Sequence, residues 1–291
     1  MIINKTMNIK STYCVGFHNF RVDAPEGVMR DGYAPFEVDS DAKDFIFSLK
    51  VDYEPITMDS FVDEVVQEEE VQEIHSGHVG GRSVFKFGLD GVYTGALDCS
   101  ADYRDAHLGL ASEKFKIYTV DNALMVLYAI ATAKISTLLM HASTIVNGGR
   151  SYLFLAPSGT GKSTHSQLWL KYIEGSRLLN DDNPVIVVKD NRAIVCGTPW
   201  SGKTPCYINE SYPVGALVSL SQAKTNKIRR VSGIEAYGSL MTSTSGKRWE
   251  RGLADGLHKT LDFVARNVPT YHLDCLPDEA AARICFGEVS R

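Results

Sequence analysis

The chain has 291 residues, 44% hydrophobic and 22% charged, which suits one large or two modest cores and excludes a disordered polymer. A formal charge of −5 offers no basic face for a polyanion, so nucleic acid is not an expected partner. The six cysteines, Cys14, Cys99, Cys196, Cys206, Cys275 and Cys285, never form C-x-x-C; they spell neither a zinc site nor a disulfide framework and read as buried thiols in a reducing compartment.

The first stretch, MIINKTMNIKSTYC, lacks the continuous apolar core of a secretion signal, which sets the expectation of a cytoplasmic protein. From about Lys10 to Leu97 come short segments of alternating or β-branched character, such as DFIFSLKV and SVFKFGL, separated by glycine or asparagine. They predict a mostly antiparallel sheet. The acidic run Asp63 to Glu73 fits either a helix or an exposed edge strand, its charges forming a solvated face.

Near Thr119 the pattern changes. TVDNALMVLYAIATA predicts a helix, with Thr119 or Asp121 as its N-cap. The apolar stretch Ala123 to Val146 is long enough to suggest a membrane span, but Lys134 falls in its middle, so it reads as a buried helix followed by a strand, with no membrane partner. TLLMHASTIVN, RSYLFLA, SRLLN, PVIVVKD and RAIVCGT then predict sheet strands. The tail reads as helices near Ile234 to Thr242 and Lys247 to Ala265, a strand TYHLDC, and a last helix with Pro277 in its first turn. The expected organisation is a β-rich N-terminal region, 1–118, and an α/β region, 119–291, with the boundary somewhere between 118 and 135.

Ala156-Pro-Ser-Gly-Thr-Gly-Lys-Ser163 fits the phosphate-loop pattern G-x-x-x-x-G-K-[ST], with alanine at the first position. It follows an apolar strand, YLFL, and precedes a helix-like segment in which Leu168, Trp169 and Ile173 form a stripe. Gly159 and Gly161 permit backbone conformations that aim N–H groups at phosphate oxygens, with Ser158, Thr160 and Thr164 completing the cradle. Lys162 supplies positive charge for the β- and γ-phosphates, and Ser163 a hydroxyl for Mg²⁺.

SRLLNDDNPVIVV then brings two acids, Asp181 and Asp182, to the end of a strand. A helix rising about 1.5 Å per residue and a short return fit one crossover between Lys162 and Asp181, which predicts that the acids sit on the strand next to the phosphate loop. Strand side chains alternate faces, so one acid can serve the metal while the other accepts a hydroxyl proton. A plain turn before Asn183-Pro184 is the alternative.

This constellation resembles the kinase domain of HPr kinase/phosphorylase and, more remotely, the nucleotide domain of ATP-dependent phosphoenolpyruvate carboxykinase, over roughly Leu138 to Leu220. The resemblance implies an α/β fold, α+β overall: a mixed-sheet P-loop domain of that type behind a β-rich N-terminal region. It implies ATP, or another nucleoside triphosphate, and Mg²⁺ as cofactors. Asp181 then corresponds to the catalytic base, Lys162 and His141 to further catalytic groups, and Ser163 and Asp182 to the metal side. His141, in LLMHASTIV, would otherwise read as a core histidine. Trp200, Gly202 and Lys203, in CGTPWSGKTPC, fall where the family has a substrate-facing loop, so Lys203 joins the nucleotide-binding candidates; a glycine-proline connection with a packed tryptophan is the other reading.

The sequence departs from the family after the serine, where Thr164 and His165 replace the usual glutamate, and lacks the Glu-Ile-Arg-Gly stretch of the HPr reaction. The expected activity is therefore transfer of the γ-phosphate to a hydroxyl on a protein Ser/Thr or a small molecule. A nucleotide-binding regulatory module and a simple NTPase remain the alternatives. HPr kinases are hexamers, which leaves a homo-oligomer open.

Overall fold

The computed structural model describes residues 8–39, 44–69, 71–202 and 204–291. Lys203, and Glu70 of the acidic run, lie outside the described residues. The chain divides into two compact units, Met1–Ala131 and Thr132–Arg291.

In the first unit, β1 (Asn8–Val15), β2 (His18–Pro25), β3 (Glu37–Val38), β4 (Phe45–Asp52), β5 (Val62–Glu69), β6 (Gln72–Val79), β7 (Arg82–Leu89), β8 (Val92–Cys99) and β9 (Asp105–Leu110) form one sheet. Their order is β3-β1-β2-β4-β9-β8-β7-β6-β5. It is antiparallel except where β4 runs parallel to β2 and to β9. The acidic run forms the edge strand β5 and its turn into β6, and charge on an edge discourages pairing with another chain.

Alternation along the strands gives this sheet two unlike faces. Phe20, Val22, Phe47, Leu49, Leu97 and Leu108 are buried on one. On the other, Lys10, Asp23, Lys50, His107 and Asp98 lie in register across five adjacent strands, with Asp23 between the two lysines and His107 beside Asp98. The helix α1 (Lys116–Thr132) covers the apolar face: the Tyr128 hydroxyl donates to the Val15 carbonyl at 2.9 Å, and its ring stands edge-on to Phe20.

That helix begins before Thr119, so neither Thr119 nor Asp121 is its cap. The Thr119 hydroxyl donates back to the Phe115 carbonyl at 2.9 Å, and Asp121 accepts from the Tyr33 hydroxyl at 2.9 Å. Partners outside the helix, and the preceding turn, occupy both side chains.

The second unit contains β10 (Thr137–Leu139), β11 (Ala142–Asn147), β12 (Arg150–Leu155), α2 (Lys162–Tyr172), β13 (Arg177–Asp182), β14 (Val185–Lys189), β15 (Arg192–Cys196), β16 (Ser211–Gln222), β17 (Lys227–Val231), α3 (Gly233–Thr242), α4 (Arg251–Asn267), β18 (Thr270–Cys275) and α5 (Glu279–Val289). Its sheet runs β10-β14-β15-β16-β12-β11-β13, with β18 against β16 and β17 against β18. TLLMHASTIVN is thus two strands, broken at Met140–His141, where His141 N–H turns to the Ser243 carbonyl at 2.7 Å. The last helix opens on Asp278, whose carboxylate accepts from Ala281 N–H at 2.9 Å, so Pro277 precedes the cap and is not in the first turn.

The core beneath α2 and α5 gathers Ile145, Tyr152, Phe154, Trp169, Val218, Leu273 and Cys285. Trp169 is its pivot, fully buried with the rings of Tyr152, Phe154 and Phe286 at 5.2, 5.4 and 5.4 Å between centroids. Truncating such an anchor costs about 3–5 kcal/mol, so α2 is firmly seated. With two large mixed sheets and few helices the fold is α+β. Among the described residues, no helix is long and apolar enough to cross a membrane.

Candidate functional site

The glycine-rich loop leaves β12 at Leu155 and enters α2 at Lys162. Gly159 has φ +75° and Gly161 φ +120°, both in the left-handed region where a Cβ is strained. Gly161 is the N-cap of α2 and offers no side chain to it, and the first turn carries no acid. No acid of the helix itself therefore opposes its opening N–H groups and positive end, as suits an anion site. Ser158, Gly159, Ser163 and Thr164 are exposed, and Thr160 is half-buried. Gln222, at the end of β16, steadies the loop by donating to the Thr160 carbonyl at 3.1 Å.

Lys162 curls into this loop. It is buried, and its Nζ donates to the Ala156 carbonyl at 2.9 Å and the Pro157 carbonyl at 3.5 Å. Carbonyl dipoles thus hold the cation at the mouth of the cradle.

β13 does not lie next to β12, as the crossover length predicted. β11 lies between them, antiparallel to both. The crossover through α2 therefore spans one intervening strand, with about 10 Å between the outer backbones. Because β12 and β13 share a direction, their carboxyl ends fall at the same edge. Ala142 pairs with Leu155 on one side and with Asp182 on the other, so the loop, His141 and the two acids meet there.

A β-bulge decides which way the acids face. Thr144 pairs with Asn180, but Ile145 pairs with Leu178, leaving Leu179 as an extra residue in β13. Such an insertion shifts the alternation by one. Ile145 and Leu178 pack on the α2 side. The next shared position on that side is Ser143 with Asp181. Ser143 Oγ meets Ser166 Oγ of α2 at 2.6 Å, and Lys162 and Ser163 stand one helical turn before Ser166. Asp181 thus faces the first turn of α2.

Asp181 is 3% exposed, and its Oδ2 has no hydrogen-bond partner. A buried carboxylate oxygen without a donor is costly, and a cation or a protonated acceptor group would satisfy it. Asp182 is differently placed. Its Oδ1 lies 3.3 Å from His141 Nε2, and its Oδ2 accepts from Asn183 Nδ2 at 2.9 Å. Its φ of +146° is a strained value for a residue with a side chain. Gly202 N–H donates to the Asp181 carbonyl at 2.6 Å, and a Cβ there would meet that carbonyl at 3.1 Å and Asp182 at 3.2 Å, a tight fit that would push the turn by a few tenths of an ångström. Trp200 is packed inside at 2% exposure.

His165, one turn into α2, is buried. Its Nε2 accepts from Trp169 Nε1 at 3.1 Å, so the neutral ring carries its proton on Nδ1, which has no partner. Burial pushes its pKa down to about 4. It backs the loop as a neutral ring against Phe154.

The group that this chemistry implies is Mg²⁺ held with a nucleotide. Among the described residues, no cluster of three or more His, Cys, Asp or Glu side chains could hold a metal unaided. Mg²⁺ characteristically uses one or two carboxylates plus phosphate oxygens and water, so Asp181 or Asp182 with the Ser163 hydroxyl fits that manner of binding. Sequence reasoning missed Asn180, Gln222 and the segment Ser243–Ser245, which lies along Leu139–His141 through backbone hydrogen bonds. The asparagine just before the acid pair was the one visible signal.

Among solved structures, the Hpr(Ser) kinase/phosphatase from Coxiella burnetii is similar at 15% identity, over 53% of this chain and 99% of that one, with a TM-score of 0.32. No curated protein matches the chain. Residues 108–276, more than half of the sequence, match the profile of the family described as "SynChlorMet cassette protein ScmC", and the protein belongs to the ScmC family.

Proposed function

We propose that this protein is an ATP·Mg²⁺-dependent phosphotransferase of HPr-kinase-like type, which moves the γ-phosphate to a hydroxyl of a protein Ser/Thr or of a small molecule. The observation that carries this reading is Asp181: a buried carboxylate with an unpartnered oxygen, facing the first turn of α2 at the edge where the glycine-rich loop begins.

In this reading the N–H groups from Ser158 to Thr164 receive the phosphates, and Lys162 exchanges its carbonyl partners for phosphate oxygens. Ser163 and Asp182 would hold Mg²⁺, which would neutralise phosphate charge when bound. His141 holds the Asp182 carboxylate in place. Asp181 accepts the proton of the attacking hydroxyl as its oxygen bonds to the γ-phosphorus; the bond to the bridging oxygen breaks and ADP leaves. The work of such a site is positioning and charge, which these groups supply.

Incubating the protein with γ-labelled ATP, Mg²⁺ and cell extract or a panel of hydroxyl compounds tests the reading. Label should move to an acceptor and the transfer should require Asp181. Nucleotide bound without transfer means a binding module, and label released only as phosphate means a simple NTPase.

A further inference from the structure

Asn180 is fully buried, one residue before the acid pair, and both ends of its carboxamide are engaged. Oδ1 accepts from Asn183 N–H at 2.9 Å, just beyond the pair. Nδ2 donates to Thr198 Oγ1 at 3.1 Å and to the Trp200 carbonyl at 3.1 Å, in the segment that runs beside Asp182. Thr198 Oγ1 in turn donates to the Asn183 carbonyl at 2.7 Å and accepts from Trp200 N–H at 3.2 Å. Every site on that hydroxyl is used, and turning the amide over would set oxygen against oxygen and N–H against N–H. With the Trp200 carbonyl at 3.1 Å as a second acceptor for the Thr198 hydroxyl, the network therefore fixes which way the amide faces. It closes the turn through Asp181 and Asp182 onto Trp200 and holds Asp182 at its strained φ of +146°.

We propose that Asn180 is a positioning residue, which sets the turn through Asp181 and with it the Asp182 carboxylate for the divalent cation of a bound nucleotide; its effect on turnover rests on the phosphotransferase reading. Without the clamp, Asp182 is free to leave its strained conformation and the turn loses its tie to Thr198 and Trp200. The Asp182 carboxylate remains but loses its fixed place beside His141.

The test is an electron paramagnetic resonance titration of Mn²⁺ into the full-length protein with ATP, alongside ATP binding in the absence of metal. Asn180→Ala should weaken Mn²⁺ binding by about 10- to 100-fold while metal-free ATP affinity stays within about twofold. Thr198→Val, which removes the hydroxyl at the same volume, should match that loss, and Thr198→Ser should restore it. Unchanged Mn²⁺ affinity in the variants overturns the proposal, as does an equal loss of metal-free ATP affinity. So does a wild-type protein that adds nothing to the affinity of ATP for Mn²⁺. Should Asn180→Ala fail to fold, the two Thr198 variants decide by the same criteria. A wild-type protein that shows the metal pattern but transfers no phosphate sinks the phosphotransferase reading alone; full transfer with unaltered metal binding in the variants sinks the role of Asn180 alone.

Discussion

The glycine-rich loop and the carboxylate turn share one edge of the second sheet, but they hold their charges in opposite ways. Lys162 is buried among carbonyls of its own loop, a few residues away in the chain. Asp181 is buried with an oxygen that nothing donates to, and the turn around it is held by its neighbour Asn180 against Thr198, and by Gly202, from a later segment. The loop is a local structure, set by glycines and a helix start. The turn is a tertiary one, correct only when β11, β13 and the Thr198–Gly202 segment are all in register. A cation satisfied at home can wait for a ligand, whereas an unpartnered acid is kept by the fold against its own solvation.

The largest effect should come from the turn. Asp181→Asn should lower phosphate transfer by roughly 10²- to 10⁴-fold, the usual contribution of a positioned base, and leave ATP affinity in place. Rates with labelled ATP and calorimetric ATP titration separate the two quantities. Equal loss of both would erase the distinction between turn and loop.

A pH measurement addresses the helix behind the loop. Burial holds the pKa of His165 at about 4 against an ordinary 6.5. Between those values the unfolded chain takes up a proton that the folded chain refuses, so this contribution to stability is complete above about pH 6.5 and declines towards pH 4. Its full extent is roughly 3 kcal/mol. Denaturant unfolding at pH 7 and pH 4 should show that much less decline in His165→Gln than in the wild type. Parallel declines would mean that the ring is open to water.

Lys162→Met should weaken ATP binding by about 10- to 100-fold, the loss of charge-assisted hydrogen bonds worth about 1.5–3 kcal/mol, as read by calorimetric ATP titration. The smallest effect should be Gly161→Ala. A Cβ at φ +120° should cost about 1–2 kcal/mol in thermal unfolding. A neutral result would show that the loop has other backbone arrangements at hand.

The same contrast explains what could be read in advance. The loop, its strand and its helix are visible in the spacing of Gly159, Gly161, Lys162 and Ser163, since every determinant is local. The strands of the first unit are visible as alternation too. Their order is not, because the parallel joins of β2 to β4 and β4 to β9 depend on which apolar faces α1 covers. Asp181 and Asp182 stand out as a pair, but their facing depends on Leu179, an ordinary leucine that becomes an extra residue only against β11. The insertion of β11 between β12 and β13 escapes notice for the same reason: crossover length fixes how far the chain returns, not which strand is already there. Asn180 hides best, since its partners Thr198 and Trp200 come from a later segment.

The extra leucine in β13 also makes the site sensitive to strand register. Were Leu179 drawn into the ladder instead of bulging from it, strict alternation from Leu178 would turn the acid at position 181 to the opposite side of the sheet and leave every loop residue untouched. A sequence could thereby keep its full phosphate-loop signature and both acids yet lose its base, so the register of this strand against β11, rather than the presence of lysine or acids, is what would separate competent relatives from silent ones.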